Sequence, residues 1–293
     1  MCTPRSIDPT KSLSEVQTDR MDLNSITSIS RPQSRSELEP FGEGDAWLAG
    51  GTWLYSEPQP KLRRLIDLTG LDWEPLVVDE IGLSIAATCT VATLHAFEPP
   101  AIWRAATLIG QCCQAFLASF KIWYTATVGG NLCMALPAGP MISLTAALEG
   151  VCQVWTPGGG ERRLPVVDFV RGPQDNALAL GELLRSIELP HVALTRRTAF
   201  RRASLTPLGR SAALLIGTCS AEGVFVLTVT ASTRRPVQLR FAEMPDRKQL
   251  VERLVTEILS SQYCDDVHGR PDWRRHMTLE LAEEIRQELV ETR

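Results

Sequence analysis

None of the eight cysteines (Cys2, Cys89, Cys112, Cys113, Cys133, Cys152, Cys219 and Cys264) forms a C-x-x-C pair. That absence counts against a zinc ribbon, a thioredoxin-type motif and a ferredoxin-type cluster in this chain. The four histidines (His95, His191, His268 and His276) are scattered and show no metal-ligand spacing. Excess positive charge is also missing: 30 Lys and Arg stand against 34 Asp and Glu, a net charge of -4. A general nucleic-acid binder would be basic. No apolar run reaches the ~20 residues that span a bilayer. The first twenty residues carry no apolar h-region, so no secretory signal is read there. A reducing, cytoplasmic compartment with free buried thiols is expected. Neither a G-x-x-x-x-G-K-[ST] loop nor an ordered G-x-G-x-x-G is present.

What remains is ordinary globular material. Hydrophobic residues make up 44% and charged residues 22% of 293 residues. At ~150 residues per domain, that length suggests two domains. Residues 1–20 are polar and aperiodic and are read as a disordered lead, with Met21 as the natural start. From Asp45 the pattern becomes dense. Strands are expected at 46–49, 62–68, 77–78, 83–87, 151–155, 163–169 and 183–189. Thr90 is placed to cap a short helix over 91–97. A longer helix is expected from about Trp103 to Phe120, with Ala106, Ile109, Cys113, Phe116, Leu117 and Phe120 recurring on one side. Residues 121–136 read as a strand-like lead, and 141–148 as an apolar helix stopped by Gly150. After a composition change at 190–197, a hairpin is expected over 212–219 and 224–231, then a strand at 237–241. Helices are expected over 248–260 and 278–290. Strands followed by helices suggest a small α+β C-terminal domain.

Two Gly-Gly turns carry the chemical signal: Ala49-Gly50-Gly51-Thr52 and Thr127-Val128-Gly129-Gly130-Asn131. Each follows a strand-like apolar run. Glycine lets backbone N–H groups approach an anion closely and permits positive φ. Successive N–H groups in such a turn form an anion nest. Thr52 and Asn131 could add side-chain hydrogen bonds, so two facing nests could hold a pyrophosphate without lysine. Each Gly-Gly taken alone is equally a plain tight turn.

The two turns together resemble the FAD-binding medium subunit of molybdenum hydroxylases, the xanthine dehydrogenase and aerobic carbon monoxide dehydrogenase relatives. Further matches run in order. Asp168-Phe169 and Gly181-Glu182-Leu183-Leu184, with Ile187 and Pro190, resemble the family's "DF…GE-[IL]-L…I..P" segment. Asp266, Gly269 and Trp273-Arg274-Arg275 resemble its "D-x-x-G…YRR" signature. The resemblance covers about residues 21–293.

It implies an α+β fold. A two-part flavin domain of the vanillyl-alcohol oxidase (PCMH) type would span residues 21–192. A flavoprotein C-terminal domain of about three antiparallel strands plus helices would span 193–293. It also implies noncovalent FAD. Ala49, Gly50, Gly51, Thr52, Trp53 and Leu54 would wrap the pyrophosphate, and Thr127, Val128, Gly129, Gly130 and Asn131 would supply the opposing turn. Leu184 would lie against the flavin ring; packing as ordinary core is the other reading of that residue. Arg201 takes the place where relatives set a lysine near the ring's polar edge; a solvated surface charge is its other reading. The implied partners are a [2Fe–2S] small subunit and a molybdopterin-binding large subunit, in a heterohexamer with two copies of each chain. The implied function is electron transfer from the partner clusters through FAD to an external acceptor.

Three positions depart from the family pattern. Trp123-Tyr124 replace Arg-Asn, Pro140 replaces an aspartate near the ribityl chain, and Trp53 replaces Asp or Glu. Pro140 offers neither a carboxylate nor an N–H. These departures motivate an alternative, a structural subunit with weakened or lost flavin binding. Trp123 and Tyr124 could stack on a flavin or adenine ring, or pack as core.

Overall fold

A computed structural model describes residues 23–292. The expected lead at 1–20 and the start at Met21 lie outside the described residues. Three short parallel strands open the chain: β1 (Ser28–Ser30), β2 (Asp45–Leu48) and β3 (Arg64–Asp67), in the order β1-β3-β2. Arg64 ties β3 to β2 through its Nε, which donates to Asp45 at 3.0 Å. That guanidinium holds the Asp45 carboxyl below its ordinary value.

The next strands, β4 (Leu76–Val78) and β5 (Gly82–Ala86), fall where two strands are expected and pair as an antiparallel hairpin. Thr90 caps α1 (Val91–His95), its hydroxyl accepting from Thr93 N at 3.1 Å. The expected long helix is shorter: α2 covers Thr107–Ala115, after a 3-10 turn at Arg104–Ala106. Leu117 adopts a left-handed φ of 48°, which an α-helix cannot continue through. The strand-like lead expected at 121–136 is instead two helices, α3 (Phe120–Trp123) and α4 (Val128–Met134). Helix α4 buries Val128 and Leu132 while α3 buries no residue, and a short apolar run of this kind is not separated from a strand by periodicity alone.

Helix α5 (Pro140–Ala147) is buried along its whole length, and Pro140 sits at its first turn, where the missing N–H costs nothing. Glu149, with φ 54°, takes the left-handed position after it, rather than Gly150. Strands β6 (Val151–Trp155) and β7 (Glu161–Pro165) follow, then α6 (Val166–Phe169), where the expected strand gives way to helix. A small ladder, β8 (Val170–Gly172) with β9 (Asp175–Asn176), leads to β10 (Leu183–Pro190). The second sheet is antiparallel in the order β4-β5-β10-β6-β7.

After α7 (His191–Leu194), the third sheet is an antiparallel meander: β11 (Arg197–Ala203), β12 (Ala213–Cys219), β13 (Phe225–Thr230) and β14 (Val237–Phe241). The three expected strands are joined by a fourth, β11, whose arginines hide its strand pattern. Helices α8 (Arg247–Glu257) and α9 (Pro271–Glu291) cover one face. Strand β12 is buried at every position. Its side chains alternate between faces. Leu214 and Ile216 join the larger core with α5, and Ala213 and Leu215 join a second core with α9.

Among the described residues there is no cluster of three metal-ligating side chains, and no helix is long and apolar enough to cross a membrane.

Candidate cofactor cleft

The two glycine turns meet. Strand β2 ends at Leu48, and the chain enters Ala49-Gly50-Gly51-Thr52 against the lead into α4. A Cβ on Gly50 would fall 1.8 Å from the Thr125 carbonyl oxygen, so only glycine permits this approach. Gly51 has φ 67°, and a Cβ there would strike the Tyr55 ring at 2.4 Å. The turn closes with Tyr55 N donating to Gly51 O at 2.9 Å. The amides of Gly51, Thr52, Trp53 and Leu54 donate to no protein acceptor among the described residues. Successive unspent amides of this kind form an anion-binding concavity.

The second turn works differently. Thr127 caps α4, and its Oγ1 accepts from Gly130 N at 3.0 Å. Val128 N donates to Cys89 O at 2.8 Å, Gly129 N to Ala87 O at 3.0 Å and Asn131 N to Thr127 O at 3.0 Å. The expected second nest is therefore spent on internal bonds. Gly129 is needed because a Cβ would sit 2.6 Å from the Ala87 backbone. Gly130 alone of this pair faces the cleft. Asn131 Oδ1 accepts from Met141 N at 3.1 Å and so holds the start of α5, and its Nδ2 has no described protein partner.

Between the turns lies a cleft of about 660 Å³, within the range of cofactor sites. Residues 49–54, Thr127, Gly130 and Asn131 line it, with Trp47, Phe116, Leu136, Ala138 and Pro140 supplying apolar wall. Val128 and Gly129 stand behind the wall. Trp47 is fixed from below, its Nε1 donating to Glu182 O at 2.9 Å. The buried Glu182 carboxylate is in turn paired with Arg162 at 2.6 Å, which holds it below its ordinary value.

Leu184 and Arg201 do not line the cleft. Leu184 is 1% exposed on β10, within the larger core. Arg201, on β11, pairs with Glu284 at 2.8 Å and Glu288 at 2.7 Å on α9. Among the departures, Trp53 and Pro140 line the cleft and Trp123 and Tyr124 do not. Trp123 packs on the core with its ring 5.1 Å from His95, and Tyr124 is 72% exposed. Cys112 and Cys113 are buried in the core, whereas Cys133 borders the cleft.

Two basic residues carry structural weight that sequence reasoning did not assign. Arg274, from the C-terminal signature, is 1% exposed. Its Nη1 donates to Ala212 O at 2.8 Å and Ala231 O at 2.6 Å, and its Nε donates to Gly269 O at 2.9 Å. It pins the start of β12 and the end of β13. Arg210, two residues before that pinned point, lines the cleft. The signal for Arg274 was in the motif; for Arg210 there was none.

The fold and the cleft define a nucleotide-cofactor protein of the α+β class. A family model for the FAD binding domain in molybdopterin dehydrogenase matches residues 29–192, more than half of the chain, and the chain belongs to this family. It is thus an FAD-binding component of an oxidoreductase. The fold is similar to that of a chain of quinoline 2-oxidoreductase from Pseudomonas putida 86, at TM-score 0.73 and 19% identity over 92% of this chain and 98% of that one. It is similar to a chain of the reconstituted CO dehydrogenase from Oligotropha carboxidovorans, at TM-score 0.73 and 19% identity over 90% and 97%. A chain of carbon monoxide dehydrogenase from Hydrogenophaga pseudoflava aligns at TM-score 0.71 and 17% identity over 89% and 96%. None of the curated proteins matches in sequence.

Proposed function

We propose that this chain is the FAD-binding electron-transfer subunit of a molybdenum hydroxylase, carrying electrons from partner [2Fe–2S] clusters to an external acceptor. The observation that carries the reading is the run of unspent amides from Gly51 to Leu54, facing a cleft of about 660 Å³. Residues 49–54 would hold the cofactor's pyrophosphate by backbone donors. Trp47, Trp53 and Phe116 would cover its apolar surface and exclude water. Gly130 leaves room at the opposite wall, and Asn131 presents its Nδ2 there. Bound FAD supplies the electron exchange; the protein supplies position and electrostatics. Among the described residues no histidine lines the cleft, which supports noncovalent attachment.

A division into 21–192 and 193–293 belongs to the same reading. The family match ending at 192 and the separate core that β11 to β14 form with α8 and α9 support it. A molybdopterin-binding large subunit, an iron–sulfur small subunit and a heterohexamer with two copies of each chain complete the proposal.

The test is to purify the chain with its partners, release the cofactor with acid and record the visible spectrum of the supernatant. One FAD per chain is the expected result. No flavin, even after reconstitution with excess FAD, would overturn the assignment in favour of a structural subunit, the reading that Pro140 and the spent second turn favour.

A further inference from the structure

We propose that Arg210 is the cofactor-facing cation of this cleft, opposing the negative charge of the bound flavin dinucleotide. The inference rests on the FAD reading and names the residue that does the work resemblance implied for Arg201. Arg201 is committed elsewhere, to Glu284 and Glu288 on α9.

Three observations converge on Arg210. Among the described residues it is the only basic side chain lining the cleft, and Glu57 is the only acidic one. The wall carboxylate, Glu57, makes no ion pair with the guanidinium among the described residues, and Pro140 stands where the resemblance places an aspartate. The guanidinium has no ion pair or hydrogen bond among the described residues, while its backbone is held on both sides. Arg202 donates through Nε to Ser211 Oγ at 2.8 Å, and through its terminal nitrogen to Gly209 O. One residue further on, Arg274 holds Ala212 O. A cation with no described partner, on a fixed backbone and lining the same cleft as the unspent amides, suits an anionic ligand. Arg210 is itself exposed, so its attraction for an anion depends on salt, and charge-assisted hydrogen bonds are the strong ones.

The same cation could oppose the diphosphate or the reduced flavin ring, and the two arms of one experiment separate these. Apoprotein carrying Arg210→Gln, Arg210→Lys or Arg201→Gln is titrated with FAD and with riboflavin over a range of salt. The midpoint potential of the FAD-loaded protein is then recorded. For Arg210→Gln we expect roughly tenfold weaker FAD binding with a flatter salt dependence, or a lowered flavin potential. We expect Arg210→Lys to recover part of the loss. Weaker FAD binding with unchanged riboflavin binding assigns the charge to the diphosphate. A lowered potential with unchanged affinity assigns it to the ring. Unchanged affinity, salt dependence and potential in Arg210→Gln overturn the proposal, as does a loss confined to Arg201→Gln. Failure of the unaltered chain to bind FAD overturns the functional reading instead.

Discussion

A glycine beside a glycine can serve two different ends, and the residues of the second turn show both. A Cβ on Gly129 would press the Ala87 backbone at 2.6 Å, whereas one on Gly130 meets only the Thr127 hydroxyl, at 2.9 Å. Backbone cannot yield as a hydroxyl rotor can. Gly129→Val should therefore lower stability by about 1–3 kcal/mol, the usual cost of overpacking. Gly130→Val should mainly weaken FAD binding. Thermal melts and FAD titrations of the two variants check this, and equal loss of stability in both would contradict the division. The cysteines give a second test. Burial pushes the Cys89, Cys113 and Cys133 thiols up to about 12 and also raises Cys112 and Cys152. A thiol reagent needs the thiolate. In a Cys2→Ser background at pH 8, the native protein should react slowly with a disulfide reagent, and the denatured protein should release all remaining thiols. A rapid native burst from Cys112 or Cys113 would contradict their burial.

Elements are held together here by buried charges as much as by apolar faces. Arg274 joins α9 to the ends of β12 and β13 by two donations to backbone carbonyls, with a third to Gly269 O. Removing it leaves those acceptors without their charged donor. Arg274→Ala should cost at least about 3 kcal/mol in denaturant unfolding, given ~1.5–3 kcal/mol for each bond to a charged group. Glu182 does similar service beneath Trp47. Its carboxyl titrates below the ordinary 4.5 in the fold because of Arg162. Its contribution is therefore present above about pH 4.5 and is lost as pH falls through the lower, folded value. Glu182→Gln should flatten the acid limb of the stability profile there. An acid limb unchanged from the parent would exclude the Arg162 pair as its source.

At the scale of the whole molecule, the cleft lies between chain segments far apart in sequence, from Trp47 to Ser211. A ligand bound there ties these segments together and stabilises the fold by mass action. At a hundredfold excess over Kd the gain is about 2.7 kcal/mol. For a chain of this size, FAD should raise the melting temperature by roughly 4–5 °C. Scanning calorimetry with and without FAD measures the shift. No shift at saturating FAD would mean that the cleft does not take it.

Much of this was legible in sequence where the signal is local. Residues 46–49 form a short apolar run that ends at a Gly-Gly, Thr90 precedes an apolar turn, and the 213–230 hairpin surrounds Ala221-Glu222-Gly223. The failures share one cause. Apolar residues at 121–136 satisfy a strand or a buried helix equally, and β11 looked solvated because its arginines find partners on α9. By itself the sequence determined where the backbone must lack a Cβ, since glycine's freedom belongs to the residue. It could not determine which amides remain unspent. Val128 and Gly129 lost theirs to Cys89 and Ala87, some forty residues away in the chain, while Gly51 to Leu54 kept theirs. Nor could it choose between Arg201 and Arg210. A guanidinium serves whichever anion lies within reach, and only the packing of α9 against β11 placed two carboxylates beside the first and left the second facing the cleft.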